Sequence, residues 1–267
     1  MTSRMQFEQV YNSLLGNLIE GMPVDRGEWH AKDVSGIPKL VSYEVRDVGF
    51  DLYVPETLEE LQDEYVPNLP WAEDHFKERV SGQPLNPPPS HAWWPFGNTE
   101  THMSAGKFSH SYPERYWPKQ AGEYLISGEY DDPDLNIGIR FEYGDLEDLV
   151  KLLQDRPMTR QAYLPVWFPE DLTAANEKHR CPCSLGYHFL VHEEHNGLRM
   201  DCSYFMRSCD FMRHFRDDMY LTARLMQWVR DRVLIRLGDM HVYISSLHCM
   251  EGDLDKMREE YEGLSSA

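Results

Sequence analysis

The sequence is short of cysteines, of basic residues and of long apolar runs, and each shortage argues against a class of protein. Its five cysteines are an odd number in 267 residues, which argues for free thiols and against a disulfide framework. No apolar run approaches the roughly 20 residues that a membrane-spanning helix needs. The first residues, MTSRMQFEQVYNSLL, lack the basic and then apolar pattern of a secretion signal. We therefore expect a cytoplasmic protein of a bacterium or a phage-infected cell.

The shortage of basic residues bears on the partners of the protein. Twenty-six basic side chains stand against 45 acidic ones, which gives a formal charge of −19. Such a charge repels a phosphate backbone and argues against broad nucleic-acid binding. A metal site is not expected either. Cys181 and Cys183 are too close for a zinc-ligand pair, and no second pair follows at a familiar interval.

Apolar periodicity predicts an α+β fold with a mixed sheet. Hydrophobic residues make up 41% of the chain, which is enough for one large folded domain. Helical spacing is found over 5–20, twice within 57–81, over 144–154 and over 212–237. Strand patterns occur at 159–168 and before and after Asn196-Gly197, a strong hairpin signal, and again at 241–250. Strands and helices do not alternate regularly, and no linker or repeat divides the chain, so we expect one domain over 1–267.

Two features near the predicted hairpin could carry chemistry. Cys183 follows a proline at the start of a strand, where a thiol is either a nucleophile or an inert buried side chain. Arg180 and Arg207 are candidate stabilisers of its thiolate. Arg207-Ser208 offers a guanidinium fork beside a hydroxyl, which suits a phosphate but also fits a turn salt bridge.

The order and spacing of several motifs resemble those of the thymidylate synthase family, which includes the pyrimidine nucleotide hydroxymethylases. The motifs are PC at 182–183, RSCD at 207–210, F-x4-Y at 215–220, GDxHxY at 238–243 and R-x6-W at 160–167. The resemblance is firm over about 140–250 and looser before that. It implies a thymidylate-synthase-like fold whose mixed sheet packs against helices and uses one face for homodimerisation.

The resemblance also implies a division of labour. Cys183 would attack C6 of the pyrimidine, so that C5 takes a one-carbon unit from 5,10-methylenetetrahydrofolate. Asp210 would organise contacts to the base and to water. Glu73 would relay protons, with Asp74 and Glu78 as alternatives. The implied ligands of the nucleotide are Arg207, Ser208, Arg26 and the neighbouring subunit's Arg160 for the phosphate, His241 and Tyr243 for the sugar 3′-hydroxyl, and Tyr112 for the pocket wall.

Departures from the family pattern bear on the base. Thymidylate synthases read uracil with an asparagine directly after the phenylalanine, where this chain has Arg216, followed by Asp217 and Asp218. Cytosine offers an N4 donor and an N3 acceptor, which a carboxylate and a guanidinium complement better than they complement uracil. Alternatively, the two aspartates face solvent at a helix start, where acids are favoured. Three further departures are Gln161, Ser184 and Met206, and the first of these reduces the number of phosphate donors.

These observations favour a folate-dependent CMP or dCMP 5-hydroxymethylase. The segment after GDxHxY is shorter than in the family, which favours addition of water over hydride transfer in a closed site. The first alternative is methylation of dUMP. An alternative of another class is a non-catalytic nucleotide-binding relative, although the presence of Cys183 argues against it. The negative charge argues against modification of a base within a polynucleotide.

Overall fold

A mixed β-sheet forms the centre of the structure, a computed structural model that describes residues 6–25, 41–95, 103–119, 144–177 and 179–265. Seven strands of the described chain form this sheet: β1 (Met22–Asp25), β2 (Val41–Tyr53), β5 (Tyr163–Pro165), β6 (Ser184–Glu194), β7 (Gly197–Met206), β8 (Cys209–Asp210) and β9 (Arg236–Met250). Their order is β1-β2-β9-β7-β6-β5, with β8 beside β9. Strands β7 and β8 run parallel to β9, and the other pairs are antiparallel. Strands β3 (Met103–Ser104) and β4 (Lys107–Phe108) form a separate hairpin.

Helices cover one face of this sheet. The described α-helices are α1 (Phe7–Ile19), α2 (Leu58–Tyr65), α3 (Trp71–Arg79), α4 (Tyr112–Tyr116), α5 (Leu146–Asp155), α6 (Glu170–Asn176), α7 (Phe211–Val233) and α8 (Leu254–Ser265). Short 3₁₀ helices span Pro89–Trp93 and Glu251–Asp253. Together with the sheet they confirm the predicted α+β class. None of the described helices is both long enough and apolar enough to cross a membrane.

The hairpin of β6 and β7 determines what stands beside Cys183. Gly197 adopts φ 111°, which a glycine tolerates at a tight turn, and Glu194 pairs with Gly197 across it. The ladder continues until Ser184 pairs with Met206. The residue before β6 and the residues after β7 therefore meet at the open end of the hairpin. This register brings Cys183 beside Arg207 and Ser208.

Alternation along the strands separates a core face from an outer face. On β7, Met200, Cys202, Tyr204 and Met206 are buried against the helices, whereas the intervening residues point outwards. Helix α7 packs on the core face with Phe215, Met219 and Val229 among its buried residues. The Asp210 carboxylate caps its first turn by accepting a hydrogen bond from the Arg213 amide at 3.3 Å.

Strand β5 is shorter than its sequence pattern indicates. The pattern in 159–168 suggests a full strand, but only Tyr163–Pro165 pairs with β6. Pro165 lacks an amide donor and is tolerated here because β5 lies at the edge of the sheet.

Candidate active site

A pocket of about 190 Å³ opens between α3, the Pro89–Trp93 turn, the loop before β6 and the first turns of α7. Four of the predicted site residues line it: Cys183, Tyr112, Asp210 and Asp217. Arg180, a candidate stabiliser of the thiolate, and Asp218 also line it. Sequence reasoning assigned no site role to several other lining residues: His75, Arg79, Ser90, Trp94, His110 and His214. The nucleophile candidate thus shares one cavity with acids, cations and aromatic rings.

Arg207 braces the loop that carries Cys183. Its Nε donates to the Pro182 carbonyl at 2.8 Å, and its Nη2 donates to the Cys181 carbonyl at 2.8 Å. Its Nη1 donates to Ser208 Oγ at 3.1 Å, and Ser208 Oγ lies 3.6 Å from Cys183 Sγ. A guanidinium has five N–H donors, so about two remain for an anionic ligand. Arg207 can therefore hold the thiol loop and bind a phosphate together.

Two cations, Arg79 and Arg180, stand among the acids that line the pocket. Arg180 lines the pocket, and its guanidinium makes no hydrogen bond or ion pair within the described ranges. Burial lowers the pKa of Arg180. Arg79 is 4% exposed, and its guanidinium carbon lies 3.8 Å from the centre of the Tyr112 ring. The two guanidinium groups thus offer positive charge to an anionic ligand in the pocket.

Three aspartates approach the pocket in different ways. Burial raises the pKa of Asp210 and of Asp218 to about 7 in each case. Asp217 is occupied, because its two oxygens accept from the Asn68 amide and from Asn68 Nδ2, each at 2.8 Å. One oxygen of Asp218 lies 3.7 Å from Cys209 Sγ, so the other remains available to a ligand. Asp218 is therefore the carboxyl group best placed to contact a base.

The structure does not bring Arg216 to the pocket. Its guanidinium lies 3.9 Å from the centre of the Tyr11 ring on α1 and 3.4 Å from Glu8. Helical geometry explains the difference, because His214, Asp218 and Leu221 recur at i, i+4 and i+7 and share one face of α7. That spacing from His214 is the sequence signal that could have identified Asp218.

Glu73, the first choice for the proton relay, does not line the pocket. It accepts from Arg224 Nε at 3.0 Å, from Arg224 Nη2 at 2.9 Å and from the Tyr220 hydroxyl at 2.7 Å. Burial acts to raise its pKa, but these hydrogen bonds outweigh burial and the pKa is lowered. Glu73 therefore joins α3 to α7. Of its alternatives, Asp74 lies 3.6 Å from Lys77 on an exposed helix face, whereas Glu78 bonds to Ser90, which lines the pocket.

This contact predicts that Glu73→Ala destabilises the protein without slowing the folded enzyme. Removing the carboxylate leaves Arg224 its hydrogen bond to Gln227 but takes away the opposite charge beside a largely buried guanidinium, which costs about 2–3 kcal/mol of unfolding free energy. Urea unfolding measures the loss, and Asp74→Ala, whose pair is exposed, should change it by less than about 0.5 kcal/mol. A large fall in kcat with unchanged stability would instead support Glu73 as the proton relay.

The remaining predicted residues lie in different places. The Tyr112 hydroxyl is 2.9 Å from Ser184 Oγ, which in turn lies 2.6 Å from the Tyr204 hydroxyl. Arg160 is exposed and outside the pocket lining, a position from which it could reach a neighbouring subunit. Arg26 lies outside the described residues.

His241 and Tyr243 lie on the outer face of the sheet, away from the pocket lining. Alternation along β9 turns Met240, Val242 and Ile244 into the core, so the two predicted sugar ligands point outwards. Tyr243 is 50% exposed and stacks on Phe205 with a centroid separation of 5.3 Å. Their role towards a nucleotide remains a prediction.

The ion pairs of His241 lead us to expect that the folded protein loses stability in mild alkali. Asp201 and Asp51 raise its pKa from 6.5 to about 9, and Asp51 Oδ1 lies 2.6 Å from its Nδ1. A raised histidine pKa stabilises the fold fully below 6.5, and the contribution disappears as pH rises through 9. After solvent screening we expect a loss on the order of 1 kcal/mol. Unfolding free energies between pH 6 and 10 test this, and the loss of stability between pH 8 and 10 should be smaller in His241→Gln by about that amount; an unchanged loss in the variant would contradict it.

Comparisons with known proteins agree with this geometry. A family model described as thymidylate synthase matches residues 94–264, which include the cysteine loop, β6, β7 and α7. A protein of Methanosarcina mazei, provisionally assigned as a thymidylate synthase, is 24% identical over 153 residues, 55% of this chain and 67% of its own. A relative from Methanosarcina acetivorans with the same assignment is 25% identical over the same shares. One from Methanococcoides burtonii is 24% identical over 176 residues, 64% of this chain and 75% of its own.

The family match places this protein among the one-carbon transferases of pyrimidine nucleotides, a class with which a cysteine at the edge of such a pocket is consistent. The chain belongs to the thymidylate synthase family. Enzymes of this family transfer a one-carbon unit from 5,10-methylenetetrahydrofolate to C5 of a pyrimidine nucleotide.

Proposed function

We propose that this protein hydroxymethylates C5 of CMP or dCMP. The observation that carries the proposal is the Asp218 carboxyl group, which lines the same pocket as Cys183 and has an oxygen free for the base. The alternative within the family is methylation of dUMP, which the assignments of the relatives favour. A non-catalytic nucleotide-binding role is the alternative of another class.

Cys183 would begin the reaction. Its thiolate adds to C6 of the ring, an S–C6 bond forms, and the electron pair of the C5–C6 double bond becomes available at C5. Neutral C5 is a poor nucleophile, so this addition is what prepares it for the one-carbon unit. Arg180 and Arg207 place positive charge beside the loop, which favours the thiolate. At the end the electron pair of the S–C6 bond returns to the sulfur and the double bond is restored.

Asp218 would select the base. A carboxylate accepts from the N4 amino group of cytosine but repels the O4 oxygen of uracil. Burial raises the pKa of Asp218 to about 7, so the carboxylate form that makes this distinction predominates above that pH. The free oxygen thus gains one hydrogen bond from cytosine, whereas it meets uracil with one unfavourable contact.

We propose the remaining nucleotide contacts as the family resemblance implies them. Arg207 and Ser208 would bind the phosphate, supported by Arg26 and by Arg160 of a second copy in a homodimer. His241 and Tyr243 would reach the sugar only if their outward-facing strand meets the bound nucleotide from that side. We also propose that residues 1–267 form one domain, since the Tyr11 hydroxyl on α1 donates to Glu260 on α8 at 2.9 Å.

The pocket walls fit a folate. Trp94 and His214 stack at 5.3 Å with an interplanar angle of 12°, and Trp71 stacks on His75 at 5.0 Å, so flat aromatic surfaces border the cavity. A second opening, lined by Leu69, Trp93 and other residues, shares Trp71 with the first. We propose that Trp71 and Trp94 would hold the pterin and that the second opening would receive the rest of the molecule. The folate supplies the one-carbon unit at the oxidation level of formaldehyde.

The choice of hydroxymethyl over methyl would follow from water in the pocket. Asp210, Asp218 and His75 all line it, and such polar groups can hold and deprotonate a water molecule beside C5. Methylation requires a dry site in which hydride, and not water, reaches the exocyclic methylene carbon attached to C5.

Incubation of the purified protein with methylenetetrahydrofolate and CMP, dCMP or dUMP tests the proposal. We expect a hydroxymethylated cytosine nucleotide by mass spectrometry and no rise in dihydrofolate absorbance. Methylated product and dihydrofolate appearing with dUMP would show that the protein is a thymidylate synthase. Binding of nucleotides without any product, together with unchanged C5 hydrogen, would support the non-catalytic alternative.

A further inference from the structure

A chain of hydrogen bonds leads from a buried carboxylate to the pocket. Glu78 Oε2 lies 2.5 Å from Ser90 Oγ, and Glu78 Oε1 accepts from the Ser90 amide at 2.7 Å. Ser90 Oγ lies 3.0 Å from His75 Nδ1. Ser90 is fully buried and His75 is 8% exposed, and both line the pocket that holds Cys183.

The number of available protons fixes which atom donates and which accepts in each of these hydrogen bonds. Burial acts to raise the pKa of Glu78, but hydrogen bonds from His75 and Ser90 outweigh it, so the group is a carboxylate and can only accept. The single Ser90 hydroxyl proton is therefore donated to Glu78. Since Ser90 Oγ has no second proton, His75 Nδ1 must be the donor in the remaining contact. A neutral imidazole with its proton on Nδ1 carries a lone pair on Nε2.

The position of the His75 ring is also fixed. Trp71 stacks on it with a centroid separation of 5.0 Å and an interplanar angle of 17°. Its Nδ1 side is held by Ser90 and lies 3.5 Å from Glu78 Oε2. Its Nε2 has no hydrogen-bond partner in the part of the chain that the structure describes. A carboxylate, a hydroxyl and an imidazole are thus hydrogen-bonded in series, and the imidazole ends the series with a basic nitrogen that can accept a proton.

We infer that His75 is the catalytic base that removes the C5 proton, with Ser90 and Glu78 as positioning residues. This inference rests on the proposed function. After Cys183 has added to C6 and C5 has taken the one-carbon unit, the C5–H bond breaks. The proton passes to Nε2, the electron pair stays on the pyrimidine, and the imidazolium later releases the proton to water. Glu78 stabilises the imidazolium through Ser90.

The protonation state of His75 agrees with this role. Burial lowers its pKa to about 4, and the charge of Arg79 acts in the same direction, so the ring is neutral at neutral pH. An anionic nucleotide would offset the charge of Arg79 and move the basicity of His75 towards the working pH. The base would thus become effective when substrate is bound.

His75→Asn tests the inference, because an asparagine amide can still donate to Ser90 but offers no basic nitrogen. We expect kcat, measured by tritium release from C5, to fall by about 10²–10⁴-fold with little change in KM, and added imidazole to restore part of it. Ser90→Ala, which cuts the link to Glu78, should lower kcat less and shift its pH profile. His179→Gln, an exposed histidine outside the pocket, serves as the matched control. An unchanged kcat in His75→Asn would overturn the inference.

The tautomer of His75 provides a readout that does not depend on the reaction. NMR of protein with isotope-labelled histidine should show the proton on Nδ1 and a bare Nε2 that shifts when CMP is added. A proton on Nε2 would overturn the relay even in an active enzyme. A wild type that converts none of CMP, dCMP and dUMP would instead overturn the proposed function, and the two failures are thereby distinguished.

Discussion

Cys183→Ala should abolish turnover of every pyrimidine nucleotide while leaving the fold intact. Of the three cysteines that line the pocket, Cys183 is the one that is not buried, and without its addition to C6 the C5 atom stays a poor nucleophile. We expect kcat to fall by about 10⁴-fold or more, the scale on which loss of a nucleophile acts in other enzymes. Tritium release from C5 measures the effect, and calorimetric titration with CMP should still show binding.

Cys181→Ser is the matched control. Cys181 stands two residues away, and its Sγ donates to the Asp171 carbonyl at 3.2 Å, a contact that a serine hydroxyl retains. We expect its tritium release to stay close to that of the wild type. If Cys183→Ala also kept the wild-type rate, covalent catalysis through this residue would be wrong.

Asp218→Asn should move base preference from cytosine towards uracil. The amide removes the charge that repels O4 and supplies a donor to that oxygen, whereas cytosine loses a charged acceptor for N4. The ratio of kcat/KM for the two bases should shift by about 1–3 kcal/mol, on the order of tenfold to a hundredfold. Competition between CMP and dUMP, or dCMP and dUMP, measures the ratio directly.

Asp217→Asn separates this effect from a general loss of charge. Both Asp217 oxygens are held by Asn68, so the substitution should leave the base ratio where it was, whatever it does to stability. If the base ratio shifted in Asp217→Asn but not in Asp218→Asn, Asp217 and not Asp218 would select the base, and our proposal would be wrong.

The three acids considered for the proton relay show what sequence spacing alone could not decide. Glu73, Asp74 and Glu78 stand within six residues on one short helix, and each is an acid near an aromatic residue. The three acids differ in their partners, which are distant in sequence. Arg224 pairs with Glu73, whereas Ser90 hydrogen-bonds to Glu78 and connects it to the pocket. A preference based on residue type therefore could not choose among them.

The sequence by itself determined the family, the α+β class and the nucleophile candidate. Local physical rules account for this, because apolar periodicity sets helices and strands, and the Asn196-Gly197 turn fixes the hairpin register that places Cys183 beside Arg207 and Ser208. Only the tertiary structure decided which of the acids on α7 keeps an oxygen available to the pocket. The side chains at 216, 217 and 218 point in three directions around α7, towards α1, Asn68 and the cavity, and burial by other segments then sets their charge.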